Sequence, residues 1–173
     1  VIIATPNKEI FDIVNFYNGI AIMTKFSHES GSDRIFEALE KYDKNKKYKI
    51  IINLQGDLPN INPLLINLTY KLLTEDSSAD ISTLCSPIFN KREIENPNIV
   101  KAYIKNLVRP IYANDFVRIP GSYEHKKLFH HLGIYGYKRR SLKKFISLSQ
   151  SPREKELKLE QLRALDNGMK IVI

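Results

Sequence analysis

Short apolar runs alternate along the chain with stretches whose apolar residues recur every three or four positions. That is the sequence form of a sheet joined by crossover helices. Residues 1–4 read as a strand, and residues 8–17, with Ile10, Phe11, Ile13, Val14 and Tyr17 in phase, read as a helix. A second short strand follows at residues 20–23. The next helix opens near Ser32, with Ser32 or Asp33 as its N-cap, and turns Ile35, Phe36, Leu39 and Tyr42 inward. Residues 49–54 form a continuous apolar run suited to a strand buried on both faces. Asn62 followed by Pro63 is the order of an N-cap and a first-turn proline, and Leu64, Leu65, Leu68, Leu72 and Leu73 make the predicted inner stripe of that helix. Strands are predicted at Ile81–Pro87 and at residues 100–104.

The last third carries the sharpest local signals. Residues 129–137 are an aromatic and β-branched strand interrupted by two glycines, whose period of two sets His131, Gly133, Tyr135 and Tyr137 on one face. Ser151-Pro152-Arg153-Glu154 is a capping box with proline at the first helical position. Gly168 stands where one helix over residues 152–167 would end. Met169 to the last residue, Ile173, reads as a strand, and both ends of the chain have the look of strands cut from something longer.

Composition narrows the function classes. With 173 residues and 43% apolar content the chain can bury one substantial core. The single Cys85 lies in an apolar run, reads as a buried small hydrophobe and suits a reducing cytoplasm. No stretch approaches the roughly 18 consecutive apolar residues of a membrane span, and the first residues lack the pattern of a signal peptide, so a soluble cytoplasmic protein with no membrane partner is expected. The net charge of +8 raises the question of nucleic acid, but 19 of the 27 basic residues are lysine in a chain also rich in isoleucine and asparagine. That bias follows from AT-rich coding and selects no partner, so no nucleic-acid ligand is expected. The five lysines between Lys41 and Lys49 are a solvated connection.

Several residues could do chemistry. Asn53-Leu54-Gln55-Gly56-Asp57 ends the run at 49–54, and ligands of open α/β sheets gather at the carboxyl ends of strands. Gly56 clears a side chain from such a position, and Asp57 offers the oxygen donor that Mg²⁺ takes when it bridges protein and phosphate. Gly-Asp-Leu-Pro is equally the composition of an ordinary turn. His131 and Tyr135 could grip a polyhydroxylated or acidic ligand, or form an ordinary half-buried pair. Glu160 and Gln161 point about 100° apart on a helix, so one of them would normally face inward. Ser30 and Gly31 precede a helix, where free backbone N–H groups suit a nucleotide, although capping alone accounts for small residues there. No zinc spacing, Gly-x-Ser-x-Gly elbow, Walker loop or Gly-x-Gly-x-x-Gly fingerprint is present.

Taken together, Ser30-Gly31-Ser32-Asp33-Arg34, Asn53-Leu54-Gln55-Gly56-Asp57-Leu58-Pro59, Asn96-Pro97-Asn98-Ile99-Val100-Lys101, His131-Leu132-Gly133-Ile134-Tyr135-Gly136-Tyr137 and Leu159-Glu160-Gln161-Leu162-Arg163-Ala164-Leu165 resemble the 3-deoxy-manno-octulosonate (Kdo) cytidylyltransferases, or CMP-Kdo synthetases. The resemblance runs from Val1 to Ile173. It implies a Rossmann-like nucleotide-diphospho-sugar transferase fold, an α/β architecture with a mostly parallel sheet. It also implies a magnesium-dependent reaction in which the 2-hydroxyl of the sugar acid attacks the α-phosphate of CTP, releasing pyrophosphate and forming CMP-Kdo for lipopolysaccharide synthesis. By resemblance Asp57 is the catalytic metal ligand. Gln55, His131, Tyr135, Glu160 and Gln161 line the sugar-acid site, Ser30 and Gly31 lie on the nucleotide side, and the assembly is a homodimer.

The chain also departs from the family pattern. The family's phosphate loop, its first central strand and a second metal-binding aspartate have no counterpart between Val1 and Ile173, so a single domain truncated at both ends is expected, poorly soluble and inactive by itself. Pro6 stands where an aspartate is usual. The family's Ser-Arg pair, whose arginine meets the sugar carboxylate, falls near Ala113-Asn114-Asp115, and Arg118 is close enough in sequence to substitute. A relative that only binds the sugar acid or nucleotide is the alternative reading.

Overall fold

The computed structural model describes residues 1–123 and 125–173, and the chain divides into one unit of residues 1–49 and another of residues 50–173. In the first unit, β1 (Ile3–Thr5) and β2 (Ala21–Met23) pair in parallel through the intervening helix α1 (Lys8–Phe16). Asn7 starts α1 by accepting the free N–H groups of Glu9 and Ile10. The apolar side of α1 is not buried as expected: Ile10, Ile13 and Tyr17 remain exposed, since two three-residue strands offer little surface to cover it. Helix α2 (Gly31–Tyr42) is capped by Ser30 rather than by Ser32 or Asp33. Ser30 has the extended backbone a cap requires, whereas Ser32 is wholly buried. Glu37 ties α2 to the preceding loop, accepting from the Lys25 N–H at 3.0 Å, pairing with Lys41 at 2.6 Å and touching His28. The Lys25 N–H and the Lys41 ammonium are the main reasons its carboxyl is held at about 2.

The second unit is organised by one strand, β7 (Leu128–Lys138). Along one edge it pairs antiparallel first with β5 (Lys101–Tyr103) and then with β3 (Ile50–Leu54); along the other it pairs antiparallel with β4 (Ile81–Pro87). Outside these, β6 (Asp115–Val117) adds antiparallel to β5, and β8 (Ile171–Val172) adds parallel to β4. The expected α/β layering is present, and its pairing is mixed: β1–β2 and β4–β8 are parallel, and the long β7 supplies the antiparallel pairs. β3 differs from expectation. Among the described residues it pairs only with β7, and Ile50, Ile51 and Ile52 are half-buried rather than covered on both faces.

Helix α3 (Pro63–Glu75) lies against one sheet face, capped by Asn62 with proline in its first turn. Thr69 and Leu73 are its buried residues, while Leu64 and Leu68 of the expected stripe are exposed. The reason is a close approach at Gly136 of β7. The space a methyl would take there is filled by Ser82, Thr69 and Leu73, and that contact sets the rotation of the helix. Cys85 on β4 is a free, half-buried thiol, and burial raises its pKa to about 11.

The other face is covered by α5 (Arg139–Ser147), α6 (Pro152–Leu157) and α7 (Gln161–Asp166), with Leu142, Phe145 and Leu162 in the core. A short helix, α4 (Lys91–Glu95), sends Ile94 against Tyr103, Val117 and Leu128. The single helix expected over residues 152–167 is two. The capping box of Ser151 and Glu154 opens α6, but Lys158 takes the left-handed conformation (φ 52°) and ends it. Among the described residues no helix is long and apolar enough to cross a membrane.

Candidate active site

Where β3 leaves the sheet, its chain turns at once. The Leu58 N–H donates to the Gln55 carbonyl at 3.2 Å, so Gly56 and Asp57 occupy the two central positions of a β-turn. The Asp57 carboxylate is exposed and makes no hydrogen bond or ion pair with a described residue. Gln55 instead lies along β7, with its Oε1 3.1 Å from where a Cβ on Gly133 would stand. Glycine at 133 therefore lets the side chain after β3 rest on the gap between β3 and β5.

On β7 itself, His131 and Tyr135 lie on one face with ring centres 5.4 Å apart. Phe116 stands edge-on to His131 at 4.9 Å, and Tyr137 continues the row beyond Tyr135. Both members of the central pair are buried. Burial first, and the neighbouring His130 second, lower the His131 pKa to about 3, so its ring is neutral. Burial, then the charges of Tyr137 and Glu160, push the Tyr135 hydroxyl well above its ordinary value, so it remains a proton donor. Thr83 on β4 fixes the ring of His131, with Oγ1 2.9 Å from Nε2. The same hydroxyl donates to the Ile134 carbonyl at 2.7 Å. Its one proton is thereby used, which assigns the proton of that bond to His131 Nε2 and leaves Nδ1 as an acceptor.

Glu160 and Gln161 arrive through the break between α6 and α7. Glu160 is the half-buried N-cap position of α7 and Gln161 its buried first residue, with the charge of Glu160 felt at Tyr135. Arg118 holds this break in place. Its Nε donates to the Leu157 carbonyl at 2.7 Å, Nη2 to the Lys158 carbonyl at 3.3 Å and Nη1 to the Pro97 carbonyl at 3.0 Å. Arg118, close enough in sequence to substitute as the sugar-carboxylate cation, thus has three of its five N–H groups on backbone carbonyls. Asp115 is likewise engaged, by Arg153, by the Tyr123 hydroxyl and by its own strand at the Phe116 N–H.

The structure thus brings Gln55, His131, Tyr135 and Glu160 to one stretch of β7, with Asp57 exposed at the turn beside Gln55 and Gln161 buried at the start of α7. Ser30 and Gly31 belong to the first unit. The Ser30 hydroxyl is used there as a cap, 3.2 Å from the Asp33 N–H, and Gly31 is the first residue of α2. No group of three or more His, Cys, Asp or Glu converges among the described residues. Asp57 alone still fits Mg²⁺, which is commonly held by one or two carboxylates with phosphate and water completing its shell. Two contributors were not foreseen from sequence. Thr83 becomes visible only once β4 and β7 are in register. Asn53 on β3, directly across from Tyr135, is buried with its Nδ2 lacking a partner among the described residues.

Known proteins share this sequence and fold. The sequence profile of the family described as Cytidylyltransferase matches residues 1–171. A 3-deoxy-manno-octulosonate cytidylyltransferase of Brucella ovis is 46% identical over 172 residues, covering 98% of this chain and 68% of that protein. A solved CMP:2-keto-3-deoxy-manno-octonic acid synthetase complexed with CTP superposes with a TM-score of 0.87 at 34% identity, over 99% of this chain and 70% of that one. A Thermus thermophilus protein described as mannose-1-phosphate geranyltransferase shares the fold alone, with a TM-score of 0.65 at 10% identity over 99% of this chain and 58% of its own.

Proposed function

The chain belongs to the cytidylyltransferase family, and from that premise we propose that it serves cytidylyl transfer from CTP to 3-deoxy-manno-octulosonate, giving CMP-Kdo and pyrophosphate. The observation that carries the proposal is the neutral, buried His131–Tyr135 pair with Glu160 beside it. A polyhydroxylated acid needs donors for its carboxylate and acceptors for its hydroxyls, and this face supplies both. Tyr135 and the side-chain amide of Gln55 donate, with Gln161 the further donor that the resemblance implies, while His131 Nδ1 and the Glu160 carboxylate accept. Neutral His131 also avoids a charge that burial would penalise whenever the site is empty.

In the reaction the sugar 2-hydroxyl oxygen forms a bond to the α-phosphorus of CTP as the bond to pyrophosphate breaks, and the hydroxyl proton leaves. The protein's share in such a transfer is positioning and charge stabilisation. Asp57 would hold Mg²⁺, which when bound supplies positive charge against the phosphates. On the nucleotide side, the Ser30–Gly31 segment would contribute backbone N–H groups, since the Ser30 hydroxyl already caps α2. A cytoplasmic homodimer feeding lipopolysaccharide synthesis is the setting that the resemblance supports.

The test is incubation of the purified chain with CTP, Mg²⁺ and Kdo, with pyrophosphate release and calorimetric binding of each ligand measured. Binding of both ligands, weakened for Kdo by Tyr135→Phe and for Mg·CTP by Asp57→Asn, is the expected result. Binding of both ligands without pyrophosphate would establish a binding-only relative. A chain that binds neither ligand would overturn the proposal.

A further inference from the structure

The remaining unexplained group on this face is Asn53. It is 5% exposed, and its Nδ2 is the only buried side-chain nitrogen or oxygen among the described residues without a hydrogen-bond partner. A buried amide left in this state destabilises a fold, and native structures rarely keep one without a use for it.

Register tells which way the amide points. Asn53 lies directly across β7 from Tyr135, and Tyr135 directly across from Thr83, so these three side chains share a sheet face. The alternate row, Ile52, Gly136 and Ser82, turns to the opposite face, where Thr69 and Leu73 of α3 fill the space. Asn53 therefore faces away from α3 and toward the side on which Tyr135, His131 and Thr83 meet. Gln55 keeps to that side as well, because the Gly133 position it rests on is two residues from Tyr135.

We propose that Asn53 contacts the substrate directly, its side-chain amide donating a hydrogen bond to an oxygen of the sugar acid. This rests on the reading of the His131–Tyr135 face as the sugar-acid site. The chemistry is complementary. Glu160 and His131 Nδ1 can only accept, so they suit sugar hydroxyl protons, while a carboxylate or ring oxygen has only lone pairs to offer and needs N–H donors. Asn53 supplies a donor whose loss of water on folding has already occurred. The ligand then meets a group with no competing partner, and the bond gains strength from the low-dielectric surroundings. A purely structural asparagine at this position would have its amide satisfied within the fold.

The test uses the full chain and two variants, Asn53→Leu and Asn53→Ala, in calorimetric titrations with Kdo and, separately, with CTP, each in the presence of Mg²⁺. Kdo affinity is expected to fall about tenfold or more in both variants, the effect of losing one hydrogen bond to a charged or polar ligand. CTP affinity is expected to stay within about twofold, since Asn53 is assigned to the sugar acid alone. Asn53→Leu should also unfold at a higher temperature than the parent chain, because a similar apolar volume replaces an unsatisfied amide. Asn53→Ala provides the affinity comparison should the leucine not be accommodated. Unchanged Kdo affinity in either variant would overturn the inference and leave the sugar-acid reading standing. Equal losses for Kdo and CTP, with earlier unfolding of the leucine variant, would show a structural role and overturn it too. A parent chain that binds no Kdo would overturn both.

Discussion

Gly136→Ala places a methyl group where the structure has no room for one. The new carbon would overlap the Ser82 hydroxyl and stand 3.1 Å from both Leu73 Cδ1 and Thr69 Cγ2. Ser82 cannot simply rotate away, because its hydroxyl donates to the Thr69 carbonyl at 2.7 Å in the interior. Either that bond breaks or α3 lifts from the sheet. Overpacking of this sort costs about 1–3 kcal/mol, and the lost buried hydrogen bond about 1 kcal/mol more. The smaller unfolded-state freedom of alanine offsets up to about 1 kcal/mol. A net loss of about 1–4 kcal/mol is expected, or a fall in Tm of roughly 2–16 °C for a domain of this size. Urea unfolding followed by circular dichroism measures it. Gly133→Ala is the control, since the one tight contact of its methyl is the Oε1 end of the Gln55 side chain at 3.1 Å, which can swing aside, and Leu58 Cδ1 at 3.9 Å is an ordinary contact. Ser82→Ala in the Gly136→Ala background should recover part of the loss. A Gly136→Ala chain within about 0.5 kcal/mol of the parent, the range of unremarkable surface substitutions, would refute the assignment of this contact as the seat of α3.

Three further outcomes are expected. His131 holds its proton in the unfolded chain below its ordinary value of 6.5 but in the folded chain only near 3. Stability should therefore decline as pH falls through that window, by at most about 1.4 kcal/mol per pH unit. His131→Asn should show a shallower acid slope in urea midpoints measured across the window, and an unchanged slope would count against a neutral buried ring. Arg163→Ala strands the Glu154 carboxylate that it contacts at 2.6 Å and 2.9 Å, with both side chains almost wholly buried. A loss of about 3–5 kcal/mol is expected, and the Glu154→Leu, Arg163→Met double variant should unfold later than Arg163→Ala alone. Arg118→Ala frees three carbonyls, and is expected to weaken Kdo binding by loosening the segment before Glu160 while leaving CTP binding near the parent value; parent-like Kdo affinity would show that the α6–α7 break holds itself.

Much of the element order was legible because short-range chemistry marked it. The strand Ile81–Pro87 was readable to its ends, and the caps at Asn62 and Ser151 open their helices as the sequence indicates. The period of two also put His131 and Tyr135 on one face of β7. What escaped depended on partners distant in sequence. The break at Lys158 is held by Arg118, so nothing local between Pro152 and Asn167 announced it. The exposed Leu64 and Leu68 follow from where Gly136 lets α3 sit, and three-residue β6 is too short to show a period. In the site, Thr83 and Asn53 acquire meaning only from register, and register is set across strands rather than along them.

The central place of β7 has a consequence for how the protein is made. Ile50 of β3, Ile81 of β4 and Lys101 of β5 each wait for a partner on a strand that begins only at Leu128. A ribosome reading from the amino end releases three sheet strands before the one that joins them. During that interval their backbone groups and the apolar side of α3 stand open to water and to neighbouring nascent chains. For this sheet, the interval before translation reaches β7 is the period of greatest exposure to misassembly.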